Sequence, residues 1–155
     1  EQRHQGNASL MIRRIAIAAT LALTATAVIA QANPIAERKD LMKAVGAATR
    51  TGTQMARGEA PFDLAKAKEV LSTYSNAAAK MPALFPDNSK SGGETTAAPA
   101  IWENMADFKA RFDAWSKEIT KASGAVTDLE SFKSSFGDVT KSCGTCHETY
   151  RIRRS

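Results

Sequence analysis

Apolar residues recur with a helical period along most of the chain, and no stretch alternates as a strand would. From Pro34 to about Arg57, Ile35, Leu41, Met42 and Val45 fall at roughly helical spacing among Glu37, Arg38, Lys39 and Lys43. Pro34 can open this helix, because the first helical position does not need an N–H. Gly58-Glu59-Ala60-Pro61 breaks it. A second helix then begins at Pro61 or Phe62-Asp63, with the stripe Leu64, Ala67, Val70, Leu71, Tyr74, Ala78 and Met81, and Pro82 stops it. Pro82 to Pro99 is rich in Pro, Gly, Ser and Thr and reads as one long helix-to-helix crossover loop. Trp102, Met105, Phe108, Phe112, Trp115 and Ile119 mark a third helix, closed by Ser123-Gly124. A capping box, Thr127-x-x-Glu130, opens the fourth, whose stripe is Leu129, Phe132, Phe136, Val139, Cys143, Cys146 and Tyr150. Trp102, Phe108, Phe112, Phe132 and Phe136 are expected in the core. Four amphipathic helices, each burying one face, predict an all-α, antiparallel four-helix bundle over residues 33–155.

The N-terminal part has a different pattern. Met11-Ile-Arg-Arg14 is a short basic segment, Ile15 to Ile29 carry no charge, and Ala30-Gln31-Ala32 is a small-residue A-x-A site. That order is a secretory signal over 11–32, cleaved after Ala32. A membrane anchor is the competing reading, but the apolar run is short, rich in Ala and Thr, and followed directly by the cleavage-type site. Residues 1–10 precede the start methionine and read as upstream or appended residues. No stable membrane anchor is expected once the signal is removed.

The chain has 155 residues, with 21 Lys and Arg against 16 Asp and Glu. Losing Glu1, Arg3, Arg13 and Arg14 with the leader leaves a mild net charge of +3, scattered except for Arg151, Arg153 and Arg154. That gives a nucleic-acid partner little support. Export points to an oxidising compartment, where two free thiols would not survive unprotected. Cys143 and Cys146 are therefore bonded, metal-bound or covalently modified.

The chemistry lies in Cys143-Gly144-Thr145-Cys146-His147, the C-x-x-C-H attachment signature of c-type haem. Cysteines three apart on a helix are neighbours, so both thiols can reach the two vinyl groups of one porphyrin. His147 lies on an overlapping face and can bind the iron axially. A thioredoxin-like motif would need a βαβ setting, which the helical pattern does not offer. A zinc site would need a fourth ligand, and residues 33–155 hold no second cysteine pair and no spare histidine. A structural disulfide is the remaining alternative.

With His147 proximal, no imidazole is left for the second axial position. A methionine (Met42, Met55, Met81 or Met105) can fill it, or it can stay open. The helical pattern alone leaves that choice open.

The motif with Tyr150 and Arg151 after it, at the end of the last of four helices, resembles the cytochrome c′ family. The chain is most similar to its low-spin cytochrome c-556 branch. Arg38-Lys39-Asp40-Leu41-Met42 matches the family's R-x-x-x-M pattern. Pro61-Phe62-Asp63, Met81-Pro82-Ala83-Leu84-Phe85-Pro86, Ile101-Trp102 and Asp107-Phe108 also look like this branch. The resemblance spans 33–155. It implies one covalent haem c on Cys143 and Cys146, with His147 proximal and Met42 distal. It also implies a haem propionate near Arg38, whose bland reading is a solvated helix charge. Arg151, one turn beyond His147, could tune the proximal side or simply be solvated.

The expected function is periplasmic one-electron carriage, not catalysis, because His147 and Met42 together would leave no open iron position. A thioether ligand favours the ferrous state and raises the potential. Partners are expected to be periplasmic redox proteins that dock transiently through a small interface, with the carrier a monomer or homodimer. The alternative is a five-coordinate, high-spin cytochrome c′ that binds NO or CO at a vacant distal site.

Overall fold

The computed structural model describes residues 33–152. The expected leader 11–32, the preceding residues 1–10, and Arg153 and Arg154 lie outside the described residues. Helices α1 (Pro34–Ala56), α2 (Leu64–Lys80), α3 (Ala100–Glu103), α4 (Met105–Ala125) and α5 (Leu129–Tyr150) form an antiparallel bundle of four long helices, with α3 a single turn before α4. α1 packs on α2 and α5, and α4 also packs on α2 and α5, closing a square around one core.

Short side chains fix each long helix start. Asn33 Oδ1 accepts from the N–H groups of Ile35 and Ala36, both at 3.1 Å, with Pro34 at the first helical position as expected. α2 starts at Leu64, slightly later than the sequence reading, because the Asp63 carboxylate caps Lys66 N–H at 3.0 Å. The capping box of α5 also sits one residue later than Thr127-x-x-Glu130. Asp128 accepts from Ser131 N–H at 2.8 Å, and Ser131 Oγ accepts from Asp128 N–H at 3.0 Å. The shorter Ser131 closes the reciprocal pair, and Glu130 instead meets Lys133 at 2.8 Å.

Helix ends follow backbone chemistry. Gly58 has φ +72°, a left-handed conformation that glycine adopts without steric cost, and its N–H bonds to Met55 O at 3.1 Å to finish α1. Pro82 ends α2 as expected, through a 3-10 turn over Met81–Ala83. Ser123-Gly124 does not close α4. The helix runs on to Ala125, where Val126 N–H bonds to Ala122 O, because Gly124 keeps helical geometry.

Two further expectations are corrected. The crossover is not a plain loop: it holds two 3-10 turns and an isolated antiparallel bridge between Ala97 and Arg151. Trp102 does not belong to the α4 stripe. Asn104 breaks the helix after α3, with φ −136° and ψ 56°, and Trp102 is half-buried with its indole N–H on Phe85 O at 2.9 Å. Phe108, Phe112, Phe132 and Phe136 are buried in the core as expected, with Tyr74 and Val139 among the fully enclosed side chains.

α1 and α5 are in direct contact where Gly52 meets the ring of Phe136. A Cβ at Gly52 would lie 2.7 Å from Phe136 Cζ, inside van der Waals contact. Gly52→Ala forces the ring or the helix aside, an overpacking cost of about 1–3 kcal/mol. The expected result is a lower urea midpoint with an unchanged m-value, checked by equilibrium unfolding.

Candidate haem site

The N-terminal half of α1 and the last turns of α5 meet at the end of the bundle that the crossover covers. Two adjoining cavities open there, of about 510 and 220 Å³. Met42, Val45, Phe112, Cys143, Cys146 and His147 line both. The larger falls within the usual size range for small-molecule and cofactor sites. The structure therefore brings together both cysteines, the histidine and Met42 from opposite ends of the sequence.

The other methionines are placed differently. Met81 lines the larger cavity only, while Met55 and Met105 line neither. Met42 is half-buried against the core and shares both cavities with His147.

Cys143 and Cys146 are half-buried free thiols on successive turns of α5. Burial raises the pKa of both; at Cys146 the nearby Arg111 opposes the rise. His147 stands exposed at the rim. Desolvation lowers its pKa, and the positive Arg151 one turn later lowers it further. Both effects favour the neutral imidazole, the form that has a lone pair for a metal.

Arg38 is not a solvated helix charge. It is 5% exposed and lies in the wall of the larger cavity. Its Nη1 donates to Leu84 O at 3.2 Å and Ser89 Oγ at 3.1 Å. Its Nη2 donates to Ser89 O at 3.0 Å and Thr95 Oγ1 at 2.9 Å. The guanidinium also lies 4.7 Å from the Phe85 ring centroid. These four bonds use all the terminal N–H groups, leaving Nε–H as the uncommitted donor. No carboxylate among the described residues pairs with it, and burial pulls its pKa down.

A buried cation without a counter-ion is costly. An anionic group in the adjoining cavity would relieve that cost, and a haem propionate is such a group. The residues present thus fit a haem: an apolar cavity, two thiols and an imidazole at its rim, a thioether facing the same space, and an unpaired buried cation in the wall. Most of Arg38's hydrogen-bonding capacity, however, anchors the crossover rather than awaiting a propionate.

The sequence reading missed Ser89, Thr95, Asp107 and Arg111. Ser89 and Thr95 sit in an aperiodic stretch with no spacing signal. Asp107 and Arg111 are four apart on α4 and form an ion pair at 2.8 Å, a pattern visible in sequence whose partners on α5 are not.

Arg38→Met removes four hydrogen bonds and leaves buried acceptors at Ser89 unpaired. Stability should fall by about 1–3 kcal/mol. Limited proteolysis should then cut within residues 84–96, which the unaltered protein should resist.

Comparison with known proteins agrees with this geometry. The family model for cytochrome c′ matches residues 33–151. A cytochrome c′ of Rhodopseudomonas palustris is 37% identical over 94% of this chain and 100% of its own length. A cytochrome c-556 of the same organism is 32% identical over 91% of this chain and 97% of its own. The solved cytochrome c′ from Rhodopseudomonas palustris superposes with a TM-score of 0.78 at 39% identity, covering 81% of this chain and all of that one. With the bundle, the C-x-x-C-H helix end and the matched length in agreement, the chain belongs to the cytochrome c′ family and is a c-type cytochrome.

Proposed function

We propose that this protein is an exported one-electron carrier. Its single haem c is held by thioether bonds to Cys143 and Cys146, with His147 and Met42 as axial ligands. The observation that carries this reading is that Met42 of α1 and His147 of α5 line the same two cavities as both cysteines. When bound, the haem supplies a reversible ferric–ferrous couple. Met42 is half-buried against the core, and Val45 and Phe112 form apolar walls of both cavities. Burial of this kind disfavours the more highly charged ferric state and, with a thioether ligand, raises the potential. Arg38 adds positive charge at the cavity wall and favours the same reduced state.

Among the described residues neither cavity has a carboxylate in its lining, while Arg38, Lys39, Arg111 and Arg151 contribute cations. That edge suits brief docking of periplasmic redox partners, with the carrier as monomer or homodimer. Export to the periplasm rests on the leader pattern at 11–32, and no helix among the described residues is long and apolar enough to cross a membrane.

A second reading has specific support. Met42 packs against an apolar wall, which is also what a space-filling residue beside an open iron would do, and cytochrome c′ is the name of the 37%-identical relative. In that reading the iron is five-coordinate and binds NO or CO.

Optical spectra of the purified protein separate the two. The expected result is a sharp low-spin reduced spectrum with no response to CO. Met42→Ala should turn the spectrum high-spin and take up one CO per haem. Broad high-spin bands and immediate CO binding in the unaltered protein would transfer the assignment to the gas-binding reading.

A further inference from the structure

The contacts between α4 and α5 near the C-x-x-C-H motif form a closed set. On α4, Arg111 Nε donates to Asp107 Oδ2 at 2.8 Å. The same Asp107 oxygen accepts the Tyr150 hydroxyl from α5. Arg111 Nη1 donates to the backbone carbonyl of Thr145 at 3.0 Å, inside the motif itself. Its guanidinium lies 5.2 Å from the Tyr150 ring centroid. The two attachment points on α5, Thr145 and Tyr150, bracket His147. Arg111 also lines the smaller cavity beside Cys146 and His147.

Magnitudes indicate what this arrangement does. The Arg111 and Asp107 side chains are 32% and 42% exposed. An ion pair that open to water contributes little to stability, so holding the bundle together is not its main effect. The Thr145 carbonyl sits in a helix and has a second lone pair available. Arg111 engages it and so ties the backbone two residues before the imidazole to α4. The planar guanidinium can serve Asp107 and Thr145 at once in a fixed fork, which a lysine ammonium does not reproduce. Asp107 meanwhile balances the Arg111 charge next to the cavity.

Resting on the haem assignment above, we propose that Arg111 is a positioning residue for the axial His147. With Asp107 and Tyr150 it clamps the haem-bearing turn of α5 to α4, and it holds a charge-balanced pair at the haem edge. Each partner then has an effect of predictable sign. Without Arg111, the negative charge of Asp107 is left unopposed behind the cavity wall and favours the ferric state. Without the Asp107 charge, Arg111 is uncompensated and favours the ferrous state.

The test uses the holoprotein and its Arg111→Met, Asp107→Asn, double and Arg111→Lys variants. Midpoint potentials, haem-methyl NMR shifts and urea midpoints are measured for each. Arg111→Met should lower the potential and Asp107→Asn should raise it. The double variant should return near the original potential while its haem-methyl shifts remain displaced, because the clamp is gone but the charge is balanced. Arg111→Lys should keep most of the potential and still displace the methyl shifts. Urea midpoints should change little throughout. Potentials that move in the same direction for both single variants, or variants that match the original protein in both potential and methyl shifts, would overturn the proposal. A haem-stained denaturing gel of the unaltered protein is read separately. Absence of covalent haem there would reject the haem assignment itself and the inference with it.

Discussion

The contact between α1 and α5 is the constraint on which the site depends. Met42 and the C-x-x-C-H motif lie about a hundred residues apart in sequence and share a cavity only because the first and last long helices are neighbours. Gly52 permits that closeness by offering no Cβ to the Phe136 ring, and Phe132, Phe136 and Val139 bury the face of α5 that leads into the motif. Further along the same stripe, Cys143 and Cys146 continue the helical period and line the two cavities, with Cys146 also packed against the core. The site is the place where the bundle's apolar seam continues past its core.

The end of the bundle is closed by a strap rather than by another helix. Arg38 holds the crossover through Leu84, Ser89 and Thr95. Its far end is tied to the chain just after α5 by Ala98 N–H to Tyr150 O and Ile152 N–H to Thr96 O, at 3.0 and 2.8 Å. One guanidinium thus satisfies polar groups of a segment with no periodic structure of its own. A row of edge-on aromatic contacts, Tyr150 to Phe108 to Phe85 to Trp102, backs this strap from within the core. The strap, Arg38 and Tyr150 are therefore one assembly, and the helix turn that bears His147 is held on both sides.

Charge is arranged in keeping with this architecture. Asp107 on α4 is committed to Tyr150 and Arg111, and those hydrogen bonds hold its pKa below the ordinary value. The cations at the cavity wall and rim are left as the dominant field. For a haem held there this bias favours the reduced state.

The fold class was legible in the sequence because a 3.6-residue period over four long segments has one economical solution. Cys143, Cys146 and His147 were equally legible, since local helix geometry alone sets their relation. Boundaries that depend on side-chain competition were less so: Asp128 displaced Thr127 as the cap of α5, and Asn104 cut Trp102 off from α4. Arg38 was picked out by its position, but its burial was not foreseeable. Its partners Ser89 and Thr95 lie in a stretch without periodicity, 51 and 57 residues away. By itself, then, the sequence determined what is local: helices, caps of the right type, and the attachment motif. Only the tertiary structure decided that Met42 shares both cavities with His147, what Arg38 holds, and that Arg111 reaches Thr145. Those relations join residues far apart in the chain, and no local period encodes which helix faces meet.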